Sequence, residues 1–203
     1  MNKRVVPAHV PGFREQMKPH HRPGAMAARR RRGPSAIRLD RQRPEIDILI
    51  ESPLWATQRR AKEMLRRAFE QACSAVPATA GELAVVLTDD AAIRALNRKW
   101  RRQDRATNVL SFPPQARQWG HATPRPLGDI VIAYETTERE ARAQGKPFMH
   151  HLAHLAVHGY LHLMGYDHEA EDQAEAMESL ETRILARLEV PDPYIVRGGV
   201  VDS

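Results

Sequence analysis

Six of the chain's ten histidines fall between positions 150 and 168, in the run H-H-L-A-H-L-A-V-H-G-Y-L-H-L-M-G-Y-D-H. His158 and His162 are four residues apart. On a helix that spacing is about one turn, so both imidazoles project from one face and can reach one ion. Gly165 follows three residues after His162, where a glycine can take the left-handed conformation that ends a helix. The chain then turns back, and His168 closes the third corner. Three imidazoles leave one position of a tetrahedral zinc open for water, which is the catalytic rather than the structural pattern. The residues therefore predict one zinc ion on His158, His162 and His168, and metal-assisted hydrolysis as its chemistry.

The spacing His-x3-His-x2-Gly-x2-His is also that of the long zincin motif. One position differs. The glutamate that follows the first histidine in those peptidases, where it is the general base, is Gly159 here. The spacing thus supports zinc strongly and amide cleavage weakly. His151 and His154 lie seven and four residues before His158 and share its helix face, as groups behind the ligands, as substrate contacts, or as polar lining. Asp167 either orients a ligand or helps activate water, or else caps the turn that follows. Cys73, in an Ala-rich helical stretch, reads as a small core residue. It and Asp167 are the candidate fourth ligands if the zinc is structural and the protein a non-catalytic assembly factor.

These residues need elements to position them. Ile46, Ile48 and Ile50 alternate as a strand does. Ala61, Met64, Leu65, Ala68 and Ala72 recur at helical spacing, predicting a helix over about 56–76. Residues 83–87 read as a second strand. Asp89 or Asp90 caps a short helix carrying Ile93 and Leu96. Residues 101–108 form a polar loop, 109–112 a short strand, and the Pro- and Gly-bearing stretch to Gly128 a long loop of the kind that is often functional. A further strand is expected at 130–134, and helices at 136–144, 149–164 and 171–188. The order indicates an α/β or α+β layer fold with a small sheet of about four strands.

Charge divides the chain. Residues 1–44 hold 12 Lys and Arg against 2 Asp and Glu, whereas the remainder holds 19 against 23. The overall net charge of +6 therefore belongs to the first segment and is no argument that the folded part binds nucleic acid. That segment, rich in Pro, Arg and Gly without an apolar period, is expected to be a disordered extension whose arginines add nonspecific phosphate affinity. The folded domain is expected at 45–190, and a loose tail at 191–203. There is no long apolar run and no apolar segment at the N-terminus. With a single cysteine, this points to a reducing, cytoplasmic location and away from membranes.

The block H-G-Y-L-H-L-M-G-Y-D-H at 158–168 resembles the zinc signature of the YbeY family, bacterial endoribonucleases also called rRNA maturation factors. L-N-R-K-W-R-R-Q-D-R-A-T-N-V-L-S-F-P at 96–113 and L-G-D-I-V-I at 127–132 resemble two further blocks of that family, and residues 174–185 its Glu-rich closing helix, with Met177 and Glu178 in place. The resemblance covers about 45–190. It implies a single small α+β domain, with helices around a mixed sheet and zinc at one end of a cleft. It also implies single-strand-directed RNA cleavage in 16S rRNA 3′-end maturation and ribosome quality control, with the small ribosomal subunit and its assembly factors as partners. Carried over by position, His158, His162 and His168 are ligands and Arg101 is the cleft arginine of the W-R step. Trp100 replaces the usual tyrosine and Ala106 the usual proline. Ser111 and Asp129 stand in matching blocks beside the cleft, and Arg98, Lys99, Arg102 and Arg105 supply local positive surface.

Overall fold

The computed structural model describes residues 44–78, 81–114 and 125–195. The basic extension and residues 196–203 lie outside the described residues. Strands β1 (Glu45–Ile50), β2 (Gly81–Thr88), β3 (Val109–Phe112) and β4 (Arg125–Ala133) form one sheet in the order β1-β2-β4-β3. β1, β2 and β4 run parallel, and β3 pairs antiparallel to β4 at the edge. Among the described residues five helices complete the fold: α1 (Ala61–Ala75), α2 (Asp90–Arg101), α3 (Tyr134–Ala143), α4 (Phe148–Leu163) and α5 (Glu171–Ala186). The architecture is α+β with a small mixed sheet, as the sequence predicts. Among the described residues no helix is long and apolar enough to cross a membrane.

The period-2 rule of strands divides the core. Ile48 on β1, Leu83, Val85 and Leu87 on β2, and Ile130 and Ile132 on β4 join the larger apolar cluster, with buried residues of α1, α4 and α5. Their neighbours Val86, Val131 and Ala133 belong to a smaller cluster with Leu110, Phe112 and Ile93 of α2. The inner strands are buried on both faces, hence their nearly continuous apolar runs. Because Leu110 and Phe112 point toward α2, Ser111 between them must point toward α4. Ten of the sixteen residues of α4 are buried. It packs against α1, α3, α5, β3 and β4, so its histidines stand on a central element of the fold.

Two boundaries differ most from the sequence reading, and Tyr134, expected to end a strand, begins α3. The helix expected over 56–76 is a 3-10 turn at Pro53–Thr57 followed by α1. Trp55 fixes that turn: it is buried and its Nε1 donates to the Thr88 carbonyl at 2.8 Å. The loop expected up to Gly128 ends earlier, because β4 begins at Arg125. Pro126 and Gly128 look like loop residues, but the β2–β4 register slips between Glu82 and Leu83, which pair with Pro126 and Gly128 and leave Leu127 as the extra residue of a bulge. Gly128 has φ +132°, and a Cβ there would meet the Phe112 carbonyl oxygen at 2.6 Å and Leu163 at 2.8 Å. Only glycine suits that position.

Candidate metal centre

The third histidine reaches the other two through the way α4 ends. Gly165, at φ +88°, donates its N–H to the His162 carbonyl at 3.1 Å, and Tyr166 donates to that of Leu161 at 3.0 Å. This paired closure is the Schellman motif, and it folds the chain back toward the last helical turn. Asp167 then accepts the His168 N–H at 2.8 Å. The ring centroids of His158, His162 and His168 end 4.5 to 5.5 Å apart. One ligand nitrogen from each lies within 4.8 Å of the others.

Hydrogen bonding assigns the tautomers. His158 Nδ1 lies 2.8 Å from Glu181 Oε1, and His162 Nδ1 lies 3.0 Å from the Tyr166 carbonyl oxygen. A carboxylate and a carbonyl only accept, so both Nδ1 atoms carry the proton and both Nε2 atoms present a lone pair. Those two Nε2 atoms face each other at 3.0 Å. Two lone pairs at that distance repel unless a cation stands between them. Burial, and then the neighbouring His158 and His168, push His162 down to about pKa 4, so its own Nε2 is a lone pair at neutral pH. The donor set fits a metal ion.

Glu181 is the anchor. It is fully buried, and its second oxygen takes His154 Nε2 at 3.0 Å and the Tyr194 hydroxyl. Burial alone would raise its carboxyl, but the hydrogen bonds from His154 and His158 outweigh that and hold it at about 2. The carboxylate is therefore ionised and orients His158, as carboxylates behind metal-bound histidines do. His154, His158 and Glu181 also bring ligand atoms together. In that trio the imidazole N–H groups are already spent on the carboxylate, which makes it a support and not a second centre. Neither Glu181 nor Tyr194 was among the residues expected from the sequence. The signal for Glu181 was legible: it interrupts the buried stripe Met177, Leu180, Ile184 and Leu185 of α5.

Other expected residues separate. His151 is buried against Glu140, at 2.9 Å, and that carboxylate also accepts Asn108 Nδ2 at 2.7 Å. Cys73 stands beside the Tyr160 hydroxyl, and neither it nor Asp167 joins a ligand group among the described residues. Gly159 lies against the sheet. A Cβ there would meet Ser111 Oγ at 3.1 Å and Ile130 Cγ2 at 3.2 Å, and its carbonyl accepts the Ser111 hydroxyl at 3.0 Å. The place of the peptidase glutamate is thus filled by a strand.

Arg101 closes α2, whose last turn also carries Arg98 and Lys99. Its Nη2 donates to the Ser111 carbonyl at 3.5 Å. Desolvation lowers its pKa, although the residue keeps exposed surface. Ser111 therefore touches both Arg101 and the helical turn of His158. Trp100 packs on the smaller core cluster and carries the Lys99 ammonium 4.8 Å above its ring, which secures the W-R step. Asp129 pairs with Phe112 across the β3–β4 ladder, on that same edge.

A small α+β domain that presents three convergent imidazoles, with Arg101 joined through Ser111 to the helical turn of His158, defines a class, the candidate metal-assisted hydrolases. The chain belongs to the YbeY family, whose model, described as Endoribonuclease YbeY, matches residues 50–189. An Endoribonuclease YbeY of Rhodopseudomonas palustris (strain BisA53) is 57% identical over 156 residues, covering 74% of this chain and 90% of that protein. One of Bradyrhizobium sp. (strain BTAi1 / ATCC BAA-1182) is 53% identical over 159 residues, covering 76% and 94%. A Thermotoga maritima protein solved in solution is 26% identical, with a TM-score of 0.43 over 74% of this chain and 99% of that one.

Proposed function

We propose that the chain is a zinc-dependent, single-strand-specific endoribonuclease that matures 16S rRNA 3′ ends and serves ribosome quality control in the cytoplasm, in contact with the small subunit and its assembly factors. The observation that carries the reading is the pair of facing Nε2 lone pairs on His158 and His162, with His168 beside them, in a chain of this family. Three neutral imidazoles and an open fourth position favour zinc. When bound, the ion supplies Lewis-acid polarisation of the phosphoryl group.

The chain's own residues do the rest. His158, His162 and His168 hold the ion, and Glu181 and the Tyr166 carbonyl keep two of the rings in the ligating tautomer. Arg101 offers a planar donor fork to two phosphate oxygens and stabilises the charge that develops at phosphorus. Arg98, Lys99 and Arg102 add attraction for the RNA backbone. Gly159 leaves no carboxylate where a zincin needs its base, so phosphodiester cleavage is favoured over peptide cleavage. The basic extension of residues 1–44 adds sequence-independent affinity, and its deletion weakens binding without abolishing cleavage.

The test is cleavage of single-stranded rRNA by purified wild type, His158→Ala and Arg101→Ala, with metal content assayed in each. His158→Ala is expected to lose both metal and cleavage. Arg101→Ala is expected to keep its metal and to cleave about 100-fold more slowly. Equal cleavage by all three would assign the activity to a contaminant and end the reading. The product ends identify the nucleophile: attack by the 2′-hydroxyl leaves a 2′,3′-cyclic phosphate, and attack by water leaves a phosphomonoester.

A further inference from the structure

Beyond α5 the chain does not run off into solvent. Glu189 takes φ +60°, Val190 donates to the Leu185 carbonyl at 3.1 Å, and the backbone reverses onto the α4–α5 pair. Three contacts then hold residues 191–194. Asp192 Oδ1 accepts the Tyr194 N–H at 2.9 Å, an Asx turn. The same oxygen takes the Thr182 hydroxyl at 3.4 Å, from the residue next to Glu181. Lys146 Nζ, from the segment before α4, donates to the Pro193 carbonyl at 2.6 Å.

The strap delivers one side chain to the buried network. The Tyr194 hydroxyl donates to Glu181 Oε2, and its ring meets that of His154 edge to face at 5.6 Å. Tyr194 is 40% exposed and Glu181 is 0% exposed, so the phenol has one face in water and its hydroxyl on the carboxylate. Glu181 thereby receives three donors: His158 on Oε1, His154 and Tyr194 on Oε2. A carboxylate with one oxygen held by two donors cannot rotate about its Cγ–Cδ bond without breaking both. Its other oxygen therefore stays on His158 Nδ1.

We propose that Tyr194 is a positioning residue for the metal centre: through Glu181 it fixes the ring plane and tautomer of His158, and so the direction of the Nε2 lone pair. The C-terminal strap is then a working part of the site. Tyr194 touches neither metal nor substrate, and its effect is expected to be smaller than the 10- to 100-fold loss typical of removing a carboxylate behind a ligand. This inference rests on the three-histidine metal centre proposed above.

The experiment titrates Zn2+ into full-length wild type, Tyr194→Phe and Lys146→Met against a chromophoric chelator. In parallel, the Co2+ absorption spectrum and the downfield ring N–H resonance of His158 are recorded, and melting temperature monitors the fold. Tyr194→Phe keeps the ring and removes only the hydroxyl. It is expected to weaken Zn2+ binding about 3- to 10-fold, to alter the Co2+ bands, and to broaden or shift the His158 resonance while the fold persists. Lys146→Met, which loosens the strap at a distance, is expected to move the same readouts in the same direction by less. Affinity, cobalt bands and His158 resonance unchanged in Tyr194→Phe would overturn the proposal. So would a fall in melting temperature alone, because a merely structural strap would lower stability without touching the spectra. If wild type itself binds neither Zn2+ nor Co2+, it is the metal-centre reading that fails, and this inference falls with it.

Discussion

Two histidines of helix α4, each set against a carboxylate from a neighbouring helix, meet different outcomes. Near its start, His151 lies against Glu140. Near its end, His158 lies against Glu181. In both a carboxylate fixes one ring nitrogen, and what differs is the fate of the other. The second nitrogen of His151 is buried in a ring only 4% exposed and has no hydrogen-bond partner, so the pair closes the interior beneath α3. The second nitrogen of His158 faces His162 Nε2 at 3.0 Å, in a ring that is partly open to solvent. A histidine–carboxylate pair is thus ordinary core architecture until another lone pair is aimed at the same point.

The largest expected effect separates the two histidines. His158→Ala should abolish tight zinc binding, since two imidazoles do not retain the ion as three do. His151→Ala should leave zinc binding within about twofold and lower stability by about 1–3 kcal/mol, by removing a buried ring and one of the two donors on Glu140. Calorimetric zinc titration and thermal melts of both variants check this, and loss of zinc from His151→Ala would erase the contrast. Next come the carboxylates. Glu181→Gln should weaken zinc binding about 10- to 100-fold, whereas Glu140→Gln should change it little. Equal losses would mean that the Glu181 contact does not orient a ligand.

The smallest effect is in acid, measured without metal. His162 is held at about 4, below the ordinary histidine value near 6.5. The unfolded chain therefore takes up that proton first, and stability falls as pH drops from about 6.5 towards 4. Glu181, depressed to about 2, contributes stability that is complete above about 4.3 and is lost as pH falls towards 2. Glu140 is depressed too and adds to the lower window. Denaturant melts across pH should show two successive declines. His162→Ala should remove the upper one, and Glu181→Gln should reduce the lower one. A single decline below pH 4 would show that His162 is not held neutral.

The sequence by itself determined which three histidines converge, because the i, i+4 spacing of a helix and the glycine that ends it are local geometry, and locality survives without knowledge of the fold. The order of strands and helices narrowed the class to α/β or α+β with a small sheet, and the family resemblance made it α+β. Only the tertiary structure decided the rest. Glu181 lies 23 positions from His158 along the chain, and although its place in the apolar stripe of α5 marks it as inward-facing, nothing local says that it will meet His158 on α4. The same holds for Tyr194, which reaches the network only because the chain reverses after α5. Gly128 looked like a loop residue because a bulge with positive φ is specified by a neighbouring strand and by Leu163, both remote in sequence. Gly159 was legible as a missing glutamate, but the reason for it was not. The approach of β3 and β4 to α4 crowds the space a side chain would need there, and that approach is a property of packing between elements, which spacing along one chain does not encode.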